Sequence, residues 1–149
     1  ASGIDAIEFR VAAHTGATPR ALARVASGGE LSRIGLAIAV MAAQANPVPT
    51  LIFDEADAGV GGAVADAVGA LMRRLGEDRQ VLCVTHLPRV AAKAHQQWRV
   101  SKHSAAGRTV SRVEQLDRVT RVEEIARMLG GADITATSRK HAREMLAHG

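Results

Sequence analysis

The sequence predicts an α/β fold with a parallel sheet core, flanking helices and a C-terminal hairpin. Leu51-Ile52-Phe53 and Val81-Leu82-Cys83-Val84-Thr85 are continuous apolar runs without polar alternation. That is the pattern of strands buried on both faces of a parallel sheet. Between them, Val64, Ala67, Val68, Leu71, Met72 and Leu75 recur at helical spacing. The order strand, helix, strand implies parallel neighbours joined by a right-handed crossover. The first run ends in Asp54 and Glu55, the second in His86. Parallel pairing puts both C-terminal ends on one edge, so Asp54, Glu55 and His86 are expected side by side. Two adjacent carboxylates at the end of a buried strand are costly unless something pairs with them. At that edge of a parallel sheet the partner is usually a ligand.

Composition bounds the possibilities. The chain has 149 residues, enough for one domain or part of a larger one. It is 47% hydrophobic and 23% charged, which supports a real core and excludes a disordered chain. The aromatic residues are Phe9, Phe53 and Trp98. The core must therefore be built from Ala, Val, Leu, Ile and Met, and single-stranded bases find no aromatic platform. The net charge of +4 is dispersed along the chain, so it allows an anionic partner without demanding one. Cys83 is the one cysteine, so no internal disulfide can form and a reducing, cytoplasmic setting is expected. No apolar run approaches membrane-spanning length, and no signal peptide is visible. The chain opens at Ala1-Ser2-Gly3 without a Met, as expected of a fragment of a longer protein.

The remaining elements each have a local reason. Residues 4–13 read as a strand near a sheet edge. The Thr-Gly and Thr-Pro pairs make His14 to Arg20 a loop. Ser27 with Glu30 three residues on is a capping box. It opens a helix with Leu31, Ile34, Ile38, Met41, Ala42 and Ala45 on one face. An ordinary N-cap is the plain reading, but Gly28 and Gly29 cost helix stability in a first turn. They do let a phosphate approach the backbone N–H groups at the positive end of the helix dipole. Asn46-Pro47-Val48-Pro49 ends that helix.

The helix after Gly61-Gly62 is expected to close at Gly76, with Glu77 to Gln80 as a polar turn. A short helix is expected over 89–95. Gln96 to His103 alternate with Trp98 and Val100 on one side, Ser104 to Gly107 form a turn, and Arg108 to Leu116 return. The alternation slips between Val110 and Val113, predicting a bulge or a loose edge. Thr120 with Glu123 reads as another capping box, with Val122, Ile125, Ala126 and Leu129 inward and Gly130-Gly131 as the stop. A last helix is expected from about Thr137 to His148, with Ala142, Met145 and Leu146 on its apolar side.

Other chemistries are weaker. Cys83 and His86 have metal-like spacing, but no second pair completes a zinc site. His14, His95, His103, His141 and His148 lie in polar or terminal contexts. Arg99, Lys102, His103, Arg108 and Arg112 on the hairpin could touch DNA phosphate, although basic residues also protect strand edges and a solvated edge is the favoured reading.

Three segments in order carry a family resemblance. Ser27-Gly28-Gly29-Glu30 resembles the signature loop of ABC-type ATPases, Leu51-Ile52-Phe53-Asp54-Glu55 their Walker B strand, and His86 their switch histidine. The finer resemblance is to the SMC-like branch and, within it, to the RecN family of bacterial DNA-repair proteins. Residues 25–33, 53–62, 84–88 and 121–131 carry it. It implies a P-loop NTPase (ABC ATPase head) C-terminal lobe over residues 1–149. The Walker A half is absent, since the chain contains no G-x-x-x-x-G-K-[ST] and no convincing Q-loop.

The resemblance further implies a head that hydrolyses ATP in DNA double-strand break repair and recombination, two protomers sandwiching two ATP molecules. Asp54 would serve Mg²⁺, Glu55 would orient and deprotonate the attacking water, and His86 would contact the γ-phosphate. Ser27, Gly28 and Gly29 would contact the γ-phosphate bound to the opposite protomer. Asp57 and Gly59 fall in the D-loop, which would cross the dimer interface. Most ABC proteins carry an Asp where Gly61 stands. The implied partners are an N-terminal head lobe of the same protein, a second protomer and DNA. By itself the chain is expected neither to bind ATP tightly nor to hydrolyse it. The alternatives are a non-catalytic dimerisation or DNA-binding module with vestigial motifs, and an ABC transporter subunit. The absence of Pro-Thr after Glu55 points away from the transporter.

Overall fold

The computed structural model describes residues 3, 7–12, 14–22, 34–36, 38–39, 41–42, 48–54, 57, 59–105, 108–131 and 133–149. The chain divides into two units, residues 1–47 with 58–60, and residues 48–57 with 61–149.

In the first unit, β1 (Arg10–Val11) pairs antiparallel with β2 (Arg20–Ala21). Ala17 N–H donates to the His14 carbonyl at 3.0 Å in the intervening loop, and Gly16 takes a φ of 87°, a left-handed conformation that glycine adopts without a Cβ clash. Of the strand expected over 4–13, the described residues show two that pair, Arg10 and Val11. Residues 7–9 are irregular, and 4–6 and 13 lie outside the described residues. Among the described residues the short β2 is the pairing strand of β1, and Ile7 and Phe9 are exposed.

Residues 34–36, 38–39 and 41–42 are helical. Leu36 is buried, while Ile38 and Met41 are exposed and Ile34 is half-buried. The buried side is therefore opposite to the expected one. This helix is apolar all round, so its periodicity does not decide which face turns inward. Its expected capping box and the ends of its stripe, Leu31 and Ala45, lie outside the described residues.

In the second unit, β3 (Thr50–Asp54) and β4 (Gln80–Val84) pair in parallel, from Thr50 opposite Gln80 to Asp54 opposite Val84. The connecting helix α1 (Gly62–Asp78) packs against β4. The expectation of strands buried on both faces does not hold. Leu51, Phe53, Val81 and Cys83 are half-buried, whereas Ile52, Leu82 and Val84 are 70%, 47% and 60% exposed. Successive side chains point to opposite faces of a strand, and within this unit the described residues cover one face of the β3–β4 sheet and leave Ile52, Leu82 and Val84 exposed on the other.

α1 buries Ala65, Val68, Gly69, Met72 and Leu75. Ala67, expected inward, is exposed. The helix runs through Gly76 to Asp78. A single helical glycine costs only about 1 kcal/mol, and the stop comes instead from Gln80, whose N–H donates to the Pro49 carbonyl at 3.0 Å as β4 begins. Gly69 has a packing reason: a Cβ there would lie 2.9 Å from Lys93 Cγ and 3.2 Å from Val90 Cα. Its absence lets α2 (Pro88–Lys93) lie close against α1.

Next, β5 (Trp98–Ala105) and β6 (Arg108–Gln115) form an antiparallel hairpin with unbroken register from Trp98 opposite Gln115 to Ala105 opposite Arg108. The expected bulge is absent. Val113 shares a face with Trp98 and Val100, and Val110 simply lies on the other face, with Arg99 and Arg112. Residues 106 and 107 of the expected turn lie outside the described residues.

α3 (Arg118–Gly130) starts earlier than expected. Its cap is Asp117, whose Oδ1 accepts from Thr120 N–H at 2.8 Å and from Thr120 Oγ1 at 2.6 Å. Those two bonds, the hydroxyl first, hold the Asp117 carboxyl below the usual range. Glu123, read as half of a capping box, instead accepts from Arg139 Nε at 2.8 Å and joins α3 to α4 (Ala136–Ala147). Gly131, with φ 72°, ends α3, and its N–H donates to the Arg127 carbonyl. Thr135 and Ser138 form the capping box of α4.

The core beneath α2, α3 and α4 is Ala91, Ala92, Ile125, Ala126 and Ala142, with Val122, Met128, Leu129, Ile134, Met145 and Leu146 packed around it. It contains no aromatic side chain. Arg121 crosses it, donating from Nη2 to the carbonyls of Ala91, Ala92 and Ala94 at 3.1, 3.2 and 2.6 Å. These carbonyls belong to the C-terminal turn of α2, where a cation also meets the negative end of the helix.

Two outcomes are expected. Arg121→Met should lower the unfolding free energy by about 2–3 kcal/mol, because the α2 carbonyls lose a charged donor. Arg121→Lys should restore only part, since one ammonium cannot reproduce the planar fork. An unchanged urea midpoint in Arg121→Met would contradict this. Separately, burial and then the negative charge of Asp57 push the Cys83 thiol up to about 11. Its alkylation at pH 8 should be about a hundredfold slower than for an ordinary thiol and rise steeply toward pH 11. Ordinary reactivity at pH 8 in the folded protein would show that the inner face of the sheet is open.

Candidate functional site

The register of β3 on β4 brings both strands out at one edge, with Asp54 opposite Val84. Asp54 is exposed at the strand terminus. Leu87 occupies the N-cap of α2, and Pro88 opens it, a position where its missing N–H is not needed. Thr85 and His86 are therefore held between the end of a strand and the start of a helix. The His86 side chain is 73% exposed.

Asp57 stands out from its surroundings. It is 1% exposed. Its Oδ2 accepts a hydrogen bond from Thr85 Oγ1, and that hydroxyl oxygen accepts from Leu87 N–H at 3.0 Å. Its Oδ1 is buried with no hydrogen-bond partner among the described residues, and lies 3.9 Å from His86 Nδ1. The D-loop reading would send this residue across a dimer interface. Within this chain its carboxylate is buried, and Thr85, itself bonded to Leu87 N–H, holds it beside the end of β4. Thr85 was missed in the sequence, although a hydroxyl directly before His86 at a strand end was a usable signal.

Gly59 and Gly62 take φ of 70° and 55°, which glycine adopts at least cost. Gly61 is the N-cap of α1, extended at φ −151°, with no side-chain cap. The Asp that most ABC proteins carry here would be a favoured cap at this position. Glu55, Ser27, Gly28 and Gly29 lie outside the described residues.

The donor set decides which cation fits. Among the described residues, no group of three or more His, Cys, Asp or Glu side chains could hold a metal. Among the described residues no further ligands join Cys83 and His86, and burial with the charge of Asp57 pushes the Cys83 thiol up to about 11. One exposed carboxylate at a strand end does suit Mg²⁺, which keeps several waters and takes other ligands from phosphate.

The basic hairpin is partly neutralised. Arg99 pairs with Glu114 and lies 3.7 Å from Glu124, and Arg112 lies 3.7 Å from Glu114. Lys102, His103 and Arg108 are exposed. Lys102 lies on the opposite face from the other four, so the five do not form one basic face.

No family model matches the chain. It is 52% identical over 145 residues to the DNA repair protein RecN of Xylella fastidiosa, an alignment covering 97% of this chain and 26% of that protein. The chain thus spans about a quarter of the length of the curated relatives it matches. Among solved structures, it resembles a chain from work on ATP-driven dimerisation and DNA-stimulated activation of SMC ATPases. There the TM-score is 0.58 and the identity 25%, over 74% of this chain and 67% of that one. It also resembles the Smc head domain with a coiled coil and joint from Pyrococcus yayanosii, with a TM-score of 0.60 and 24% identity, over 74% of this chain and 20% of that one. The fold is that of an SMC ATPase head, a P-loop NTPase architecture. Over nearly its whole length the chain is thus similar to about a quarter of RecN.

Proposed function

We propose that residues 1–149 form the C-terminal lobe of a RecN-type ATPase head, completed by an N-terminal lobe that carries the Walker A loop. The observation that carries this is the uncovered apolar face of the β3–β4 sheet, with Ile52, Leu82 and Val84 exposed beside the edge that bears Asp54 and His86. A sheet of two strands with one bare apolar face is marginal in water. Further strands or a helix from the N-terminal lobe would cover it.

In the completed head the reaction is hydrolysis of ATP. Asp54 would hold Mg²⁺, which when bound supplies neutralisation of phosphate charge. Glu55 orients the attacking water and takes its proton as the bond to the γ-phosphorus forms and the bond from that phosphorus to the bridging oxygen breaks, releasing ADP. His86 steadies the γ-phosphate. Ser27, Gly28 and Gly29 offer backbone N–H groups to the ATP held by a second protomer, so turnover requires a dimer. The head works on DNA in double-strand break repair and recombination, in the bacterial cytoplasm. The enclosed carboxylate of Asp57 argues against its side chain reaching that second protomer.

The test uses the full-length protein. Glu55→Gln should still bind ATP but turn it over at least about a hundredfold more slowly, and ATP-bound dimers should accumulate in sedimentation. Unchanged turnover would reject Glu55 as the base. DNA binding by the C-terminal lobe alone, indifferent to ATP, would favour the non-catalytic module instead.

A further inference from the structure

Asp57 has an oxygen that the reaction above leaves unused. Oδ2 is held by the Thr85 hydroxyl, which is held in turn by Leu87 N–H. The carboxylate is thereby fixed in rotation. Oδ1 is buried without a donor among the described residues, and a buried carboxylate oxygen left without one is destabilising. The donor within ion-pair range is His86 Nδ1, at 3.9 Å. That is beyond a hydrogen bond, but a movement of about 1 Å would close it. His86 is a largely exposed side chain on a short connector, so its ring has room to turn.

The geometry points to Asp57 as the positioning residue for His86: its Oδ1 accepts from Nδ1–H and leaves Nε2 as the nitrogen for the nucleotide. The proposal rests on the reading of His86 as the γ-phosphate contact. A carboxylate behind a histidine fixes both the tautomer and the ring orientation. A phosphate oxygen only accepts hydrogen bonds, so with Nδ1–H on Asp57 a proton on Nε2 is the one the ring could donate to it. Thr85 belongs to the same device, because its hydroxyl sets the angle at which Oδ1 faces the ring. One buried carboxylate so ties the chain after β3 to the chain after β4.

Two readouts on the full-length protein separate this proposal from the reading beneath it. With ¹⁵N-labelled histidine, the neutral His86 ring should be the Nδ1–H tautomer in the parent protein. It should move toward Nε2–H in Asp57→Asn, which is isosteric and still accepts from Thr85. In ATP hydrolysis, Asp57→Asn should lower kcat about tenfold or more, with KM for ATP within about twofold. The same substitution in a His86→Ala background should change kcat less than about twofold. Thr85→Val should follow Asp57→Asn, while Thr85→Ser should match the parent. Ring shifts of His86 that are identical in Asp57→Asn and the parent would overturn the proposal whatever the kinetics. A changed tautomer with parental turnover in His86→Ala would uphold the pairing and remove His86 from the chemistry.

Discussion

The parallel register of Thr50–Asp54 on Gln80–Val84 is the constraint on which the site depends. Each residue of β3 advances in step with one of β4, so both chains emerge at one edge. In an antiparallel pair, His86 would leave the sheet at the far end, about 16 Å away over five residues. Parallel pairing needs a long return, and α1 provides it. Its close seat on α2 depends on Gly69, and Arg89 to Asp66 at 2.5 Å and Arg73 to the Lys93 carbonyl at 2.8 Å join the same two helices. Asp54 and the segment bearing His86 therefore leave the sheet at the same edge because of hydrophobic and backbone terms far from either.

A core this poor in aromatic residues leans on polar cross-links. Ala91, Ala92, Ala126 and Ala142 let three helices approach closely but bury little area each. Arg121 ties α3 to the end of α2, and Arg139 ties α4 to Glu123 on α3. Glu124, 6% exposed, accepts from Arg127 at 2.6 and 3.0 Å and lies 3.7 Å from Arg99 on the hairpin. The Arg127 hydrogen bonds, more than the charge of Arg99, hold the Glu124 carboxyl below its usual range. A buried carboxylate with two cationic neighbours is tolerable where either cation alone would leave it under-satisfied. The hairpin is thus fastened to the helical core by charge, while its apolar stripe of Trp98, Val100 and Val113 stays exposed.

The sequence made the elements legible and the burial less so. Parallel order, the α3 stop at Gly131 and the inward Ile125, Ala126 and Ala142 follow from period and turn chemistry, which are local. Ile52, Leu82 and Val84 could not be placed from the sequence, because an apolar run does not say how many layers cover it. Leu36 against Ile38 failed for the same reason. Thr120 with Glu123 misplaced a helix start because Asp117, three residues earlier, offers a stronger acceptor and Glu123 has Arg139 to meet. At the candidate site, Asp54 and His86 were visible as residue types at strand ends. The enclosure of Asp57 was not, since it depends on Thr85 reaching across from the neighbouring strand.

The central claim is that the bare face of β3 and β4 is an internal surface of a two-lobed ATPase head. Hydroxyl-radical footprinting reads it directly, because oxidation reports the exposure of individual side chains. In the full-length protein, Ile52, Leu82 and Val84 should be protected relative to the isolated chain, while Met41 and Trp98 serve as internal comparisons. Oxidation of the three aliphatic residues at the same rate in both forms would contradict the assignment.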